Sequence, residues 1–146
     1  MAVNVKYGYR RGPQLIQRMK VDGNGTFPIE VGMILTLGTA GYVQIAGAGD
    51  NAVGWAASRL ASDPGADGDA SIDVDISELA VYEVPPDTGS VTQALVGKTC
   101  DVGAAAGGYP SADLDASTDD GLSIEGVDTD ANTLFVRIVN KRAGVV

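Results

Sequence analysis

The sequence contains no histidine and only one cysteine, Cys100. These absences exclude a Ser-His or Cys-His catalytic pair, a histidine metal site and an intrachain disulfide. A lone cysteine fits a protein made in a reducing cytoplasm, and we interpret Cys100 as a small buried hydrophobic residue. We therefore predict no catalytic, cofactor-binding or metal-binding residues and do not expect an enzyme.

Aromatic residues and long hydrophobic runs are also scarce. Aromatic residues make up 5% of the 146 positions, glycine occupies 20 of them, and 45% of the residues are hydrophobic. Such a chain can form one ordinary domain or two very small ones, but with few large aromatic anchors. The first twenty residues lack the apolar run of a secretory signal, and no segment is long enough to cross a bilayer. Neither an export signal nor a membrane partner is expected.

Positive charge is nearly absent from the middle of the chain. Residues 21–136 hold all 19 acidic residues against two basic ones, Arg59 and Lys98, which gives this stretch a net charge of −17. Half of the ten basic residues lie in the first twenty positions. An acidic body repels nucleic acid, whereas a basic segment can reach an acidic neighbour, including a second copy of the chain. No direct nucleic-acid partner is predicted.

The basic N-terminal segment carries neither a helical nor a sustained strand pattern. We predict that residues 1–13 form an extended arm that docks on a partner protein, because tyrosine and arginine are favoured at interfaces. Stacking of these tyrosines on single-stranded nucleic acid is disfavoured by the acidic body. The residues expected to make the contacts are Lys6, Tyr7, Tyr9, Arg10 and Arg11.

Residues 14–142 show the short, glycine-bounded runs of a β-rich body. We predict a mainly β fold, a small β-barrel or β-sandwich with at most one or two short helices and the extended N-terminal arm. A subdomain hinge is possible near residues 85–90, and residues 143–146 form a C-terminal tail. Strands are predicted over residues 14–21, 33–37, 42–46, 53–57, 71–76, 79–84, 98–102, 122–127 and 133–140. A short helix or turn is predicted over residues 90–96, and loops over residues 63–69, 103–108 and 112–121.

Residues 71–76 form the clearest predicted strand, because apolar and acidic residues alternate there. We expect Ile72, Val74 and Ile76 to face the core. Asp73 and Asp75 are expected to face water.

Trp55 is the only tryptophan and stands in a predicted strand, so we predict that it is a core anchor. The acidic segment that follows does not match a calcium loop, since an EF-hand starting at Asp63 would need ligands where Gly65 and Val74 stand. The glycine-rich stretches 47–54 and 103–108 lack the spacing of phosphate-binding loops.

Glycines and aliphatic residues recur in a characteristic order along residues 13–142. Residues 30–37 lead through Gly41, Tyr42, Val43 and Ala46 to the run DNAVGWAA at residues 50–57, and an acidic turn and alternating strand follow at residues 65–76. The order continues at residues 94–99, Asp101, residues 118–124 and residues 134–140. In this order of glycines and aliphatic residues, the chain resembles the capsid decoration proteins of tailed phages, which are also called cement proteins.

This resemblance implies a β-rich body, usually trimeric, on the outer surface of an expanded capsid. The expected partners are the phage major capsid protein and other copies of this chain in a homotrimer. The expected location is the virion surface, after synthesis in the host cytoplasm. The resemblance supplies no signature for residues 1–12, so the docking role of the arm rests on charge and position.

Two other functions remain open. The first is a virion-exposed glycan- or ligand-binding module that uses the acidic loops and Trp55. The second is an enzyme that uses the carboxylate pair Asp73 and Asp75, which is disfavoured because no nucleophile or partner base accompanies the pair.

Overall fold

Short, glycine-bounded runs form many of the strands in the described residues of this chain. A computed structural model describes residues 8–23, 25–38, 40–106, 109–115 and 121–139. Within these ranges the only helical element is the 3-10 turn Gln93–Leu95. The prediction of a mainly β fold is confirmed. The strands are β1 (Gly8–Arg11), β2 (Ile16–Lys20), β3 (Ile34–Leu37), β4 (Val43–Ile45), β5 (Gly54–Ala56), β6 (Ser71–Asp75), β7 (Val81–Val84), β8 (Thr99–Ala106), β9 (Tyr109–Asp113), β10 (Leu122–Asp128) and β11 (Thr133–Ile138).

The strands form two antiparallel sheets. The six-stranded sheet has the order β1-β7-β11-β10-β8-β9, and the five-stranded sheet has the order β2-β6-β5-β3-β4. Each sheet curls without closing into a barrel. Val21, just after β2, bridges Val43 of β4, and Pro86, just after β7, bridges Ala112 of β9. Because β1 and β2 follow each other along the chain, an edge strand of one sheet leads directly into an edge strand of the other.

Two hydrophobic cores hold the sheets. One core is built from the five-stranded sheet and its loops, and the other contains residues of both sheets and therefore joins them. The buried members of the first core are Val21, Ile29, Met33, Leu35, Val43, Ala56, Ile72 and Val74. The second core includes Ile34, Trp55, Tyr82, Val84, Cys100, Leu122, Leu134 and Ile138.

The environment of Asp75 differs from the prediction. Ile72 and Val74 lie in the first core as expected, but Asp75 is fully buried and does not face water. The register of β5 and β6 sets Asp75 opposite Trp55, on the face that meets the six-stranded sheet. Both faces of the sheet are covered at this point, so strand alternation does not place a polar residue in water. Asp73, in the middle of the strand, is half-exposed.

Strands β8 and β9 replace the loops predicted over residues 103–108 and part of residues 112–121. Small residues with little intrinsic strand preference pair here because their backbones can approach closely. A Cβ on Gly103 would lie only 2.8 Å from Oγ of Ser111 on the paired strand. The predicted helix over residues 90–96 is limited to the 3-10 turn Gln93–Leu95, with Thr92 at its N-cap.

The region of the predicted hinge is bonded to β9. The Ala112 N–H donates to the Pro85 carbonyl over 3.0 Å, and the Asp87 N–H donates to the Ala112 carbonyl over 2.8 Å. The chain therefore leaves β7 along the outer edge of β9. These two hydrogen bonds join the segment that follows β7 to β9, an edge strand of the six-stranded sheet.

Candidate functional site

Residues 8–20, which we call the N-terminal seam, run along the side of the molecule where both sheets present an edge strand. Every residue from 9 to 18 is exposed. The backbone is nevertheless held, because β1 pairs with β7 and β2 pairs with β6. The seam therefore combines a fixed backbone with side chains that are exposed to solvent.

The seam overlaps the predicted N-terminal arm. Residues 8–11 are extended, as predicted, but they form an edge strand of the body's own six-stranded sheet. The body therefore begins before residue 14 in the structure. Lys6, Tyr7 and the predicted tail at residues 143–146 lie outside the described residues.

Arg10 fixes β1 to the body through a buried carboxylate. Its Nε and Nη2 atoms lie 2.7 and 2.5 Å from Oε1 of Glu83, whose side chain is only 3% exposed. The hydroxyl of Thr133 donates to the other carboxylate oxygen. A buried carboxylate requires such partners, because an unpaired charge in the interior is costly. Arg10, predicted as a docking contact, thus already has a partner within the chain, 73 residues away in sequence.

Tyr9 joins the seam to the core through an aromatic stack. Its ring meets Tyr82 edge-on, with 5.6 Å between ring centroids, and its hydroxyl donates to the Gly12 carbonyl over 2.5 Å. Tyr82 in turn stacks on Trp55. Tyr9 remains 42% exposed, whereas Trp55 is fully buried. Trp55 therefore offers no surface to a glycan or other external ligand.

Asp75 holds the start of β2 from inside the molecule. Its Oδ1 accepts hydrogen bonds from the backbone N–H groups of Leu15 over 3.0 Å and Ser77 over 3.1 Å. Its Oδ2 accepts the hydroxyl of Tyr82 over 2.7 Å. Burial, followed by this hydrogen bond, raises the pKa of Tyr82. The buried carboxylate is satisfied by three donors and needs no cation.

The link between β1 and β2 is also fixed. Ser77 Oγ donates to the Pro13 carbonyl over 2.6 Å. Gly12 has a φ of +92°, and a Cβ there would lie 2.3 Å from the carbonyl oxygen of Leu79. Only glycine combines this backbone conformation with so close an approach. The seam passes from one sheet to the other in a single defined path.

Most side chains that the seam presents are apolar or cationic, and none is acidic. Leu15 and Ile16 are among the most exposed large hydrophobic residues, together with Leu79 beside the link. Arg11 and Lys20 are exposed as well. Arg18 forms an ion pair of 3.0 Å with Asp73, but both partners are well exposed, so the pair contributes little stability. An apolar strip among cations, on an otherwise acidic molecule, is suited to protein contact.

The predicted carboxylate pair is divided between two environments. The carboxylate of Asp73 pairs with Arg18 at the surface, whereas that of Asp75 is buried among hydrogen-bond donors. Across the described ranges, no group of three histidine, cysteine or acidic side chains could hold a metal ion. Among the residues that the structure describes, no helix is long and hydrophobic enough to cross a bilayer.

Comparison with known proteins gives no match to a family model, a curated protein or a solved structure. The function of this chain is therefore inferred from its own residues, and above all from the N-terminal seam.

Proposed function

We propose that this protein is a non-enzymatic capsid decoration protein of a tailed phage, which binds the outer surface of the expanded head and bridges major capsid protein subunits. The order of residues that resembles this family supports the proposal, as does the small β-rich body. The observation that carries it is the N-terminal seam, in which ten consecutive residues, 9–18, are exposed and include apolar and cationic side chains but no acidic one, on an acidic protein. Such a segment can bind a partner without a large rearrangement of the body.

The proposed capsid contacts are Lys6, Tyr7, Tyr9 and Arg11. Arg10 is proposed to hold these neighbours in position as well as to contact the capsid. Arg10 holds β1 against Glu83, so it orients its neighbours, and its side chain is still 37% exposed. Tyr9 is likewise fixed by Tyr82 and Gly12. Contacts presented on a fixed strand lose less conformational entropy on binding than those on a free arm.

We further propose that the protein binds the capsid as a homotrimer. Many weakly bound copies on an icosahedral shell would then together resist internal pressure through their number and symmetry. Light scattering of the purified protein tests this directly, with an expected mass of three times the chain mass of 14.9 kDa. A mass equal to one chain at all concentrations would contradict the trimer.

Co-sedimentation with capsids that lack the protein tests the docking function. The full chain is expected to pellet saturably at a fixed ratio to the major capsid subunit. Removal of residues 2–7, or the substitution Arg11→Glu, is expected to weaken binding about tenfold or more, since rim charges steer association. Lys98→Glu is the matched control, because it makes the same charge change on another exposed residue, outside the seam. Truncation of all thirteen N-terminal residues is a poorer test, because it would remove β1 from the sheet.

Failure of the full chain to pellet at any salt concentration would reject the decoration function. A glycan array with and without calcium would then test the ligand-binding alternative. Any such site would have to use exposed loops, since Trp55 is buried.

A further inference from the structure

The outer edge of β2 has unpaired backbone groups. The Val21 N–H donates to the Ala70 carbonyl over 2.9 Å, and the Leu15 carbonyl accepts the Ile76 N–H over 2.8 Å. These bonds show that the odd-numbered residues face β6. In an antiparallel ladder the intervening residues point the other way. Residues 16, 18 and 20 therefore direct their N–H and C=O groups outward. The Lys20 C=O meets β4 in the parallel bridge between Val21 and Val43, whereas the described part of the chain provides no pairing strand for the other outward groups.

The open edge has a defined length. Just beyond β2, the Asp22 N–H donates to the Val43 carbonyl over 2.9 Å, so β4 occupies the edge from this point onward. The free edge is therefore limited to Ile16–Lys20. Five residues span about 17 Å, which is the length of an ordinary strand.

The side chains along this edge favour an acidic partner. Ile16, Arg18 and Lys20 share one face of the sheet because side chains alternate along a strand. Strand β6, already paired on the inner side, places Asp73 opposite Arg18 and forms an ion pair with it. A strand added on the outer side would meet the same cations, which remain largely exposed.

A second copy of β2 is a poor occupant of this edge. Full antiparallel pairing of two β2 strands, centred on Arg18, would set Arg18 directly opposite its counterpart. Like charges directly opposite each other destabilise a strand pair, and cations on an edge strand commonly prevent such self-association. The cations of β2 therefore favour pairing with a different strand over pairing with a second copy of β2.

We propose that the free edge of β2 binds an extended segment of a partner protein by strand addition, and that this segment carries acidic residues at alternate positions. Backbone hydrogen bonds to residues 16, 18 and 20 would supply affinity, and Arg18 and Lys20 would supply specificity. The surface lies in the body, next to the proposed arm contacts. The inference is independent of the proposed function, because it does not require the partner to be a capsid protein.

Amide NMR of the full-length, isotope-labelled protein tests this proposal with synthetic peptides. The probe is a peptide of alternating aspartate and valine with blocked ends. One control has the same composition with the aspartates grouped together, and a second replaces aspartate with lysine. The alternating acidic peptide is expected to shift the amides of Ile16, Arg18 and Lys20 and to slow their hydrogen exchange about tenfold or more. The amides of Gln17 and Met19, which face β6, should keep their existing protection.

Two variants separate charge from backbone pairing. Arg18→Glu should weaken peptide binding about tenfold, whereas Lys98→Glu should leave it unchanged. Arg18→Pro removes an outward N–H and should also weaken binding, since proline is tolerated on edge strands but cannot donate. If Arg18→Pro fails to fold, as judged by the fluorescence of Trp55, Arg18→Glu alone decides the test.

Three results would overturn the proposal. Equal binding of the lysine peptide or the grouped peptide would show that the edge does not select alternating acidic residues. The absence of amide shifts at millimolar peptide would show that β2 does not bind an added strand. Protection of the outward amides that rises with protein concentration, without peptide, would show that a second copy covers the edge.

Discussion

The ring of Tyr82 lies parallel to the indole of Trp55, with 4.1 Å between centroids and 5° between planes, while its hydroxyl donates to Asp75. Trp55 and Asp75 are cross-strand neighbours in the five-stranded sheet, and Tyr82 belongs to the other sheet. One side chain therefore joins the two sheets both by stacking and by a hydrogen bond. A polar contact inside an apolar core fixes the relative position of the sheets more specifically than hydrophobic packing alone.

Replacement of Asp75 tests the strength of this contact. Asp75→Ala would leave two backbone N–H groups and the hydroxyl of Tyr82 without their acceptor, so we expect a loss of about 3 kcal/mol or more in the free energy of unfolding. Asp73→Ala, two residues away on the same strand, breaks only an exposed ion pair and should cost about 1 kcal/mol or less. Urea unfolding of both variants measures the difference. Equal losses would contradict the assigned role of Asp75.

Alkaline pH should destabilise the fold through Tyr82. Burial and the hydrogen bond to Asp75 raise the pKa of Tyr82 above its value in the unfolded chain, so the folded state keeps the proton that the unfolded state loses. The resulting stability is present below about pH 10 and is lost as the pH rises above it. Urea midpoints between about pH 7 and pH 11, together with tyrosinate absorbance, provide the measurement. Tyr82→Phe should be less stable at neutral pH but show a shallower alkaline decline, whereas Tyr42→Phe should retain the decline.

Arg10 and Arg11 should differ in their effect on stability although they are neighbours. Arg10→Ala removes the cation from buried Glu83, and we expect a loss of about 1–3 kcal/mol, moderated by the partial exposure of the arginine. Arg11→Ala changes an exposed side chain and should alter stability by about 0.5 kcal/mol or less. Chemical unfolding of both variants, with Glu83→Gln to complete a double-mutant cycle for Arg10, measures the coupling. A coupling energy of zero would show that Arg10 does not anchor β1.

Gly54 should be intolerant of any side chain. A Cβ at this position would lie 2.5 Å from Cγ1 of Val74 and 2.6 Å from the carbonyl oxygen of Asp75. Gly54→Ala should therefore cost about 1–3 kcal/mol, because the paired strand must move. Gly121 provides the control, since the nearest atom to its Cβ position is 4.0 Å away. Thermal unfolding of Gly121→Ala should show a melting temperature equal to or above that of the unsubstituted protein.

Periodicity located the strands whose residues have a strong strand preference. The runs predicted over residues 33–37, 42–46 and 71–76 contain β3, β4 and β6. Strand β9 was missed because tyrosine, proline, serine, alanine and aspartate give no alternating pattern there. Its pairing with β8 depends on close backbone approach at Gly103, which is a tertiary effect that no local window of sequence contains.

The candidate site was predicted only at the level of charge and position. The excess of cations in the first twenty residues indicated a docking segment, but not which cations would be engaged within the chain. Arg10 meets Glu83 and Arg18 meets Asp73 across 73 and 55 residues of sequence. The burial of Asp75 was missed for the same reason, because it depends on a second sheet that covers the strand from the far side.

The two single-residue bridges limit where a further strand can be added to this protein. Val21 meets Val43 in the five-stranded sheet, and Pro86 meets Ala112 in the six-stranded sheet. Each bridge covers part of one sheet edge, that of β4 or of β9, whereas the opposite edges, β2 and β1, belong to consecutive strands of the chain. Even when copies are crowded at high local density, an added strand would therefore approach from the side that carries residues 8–20.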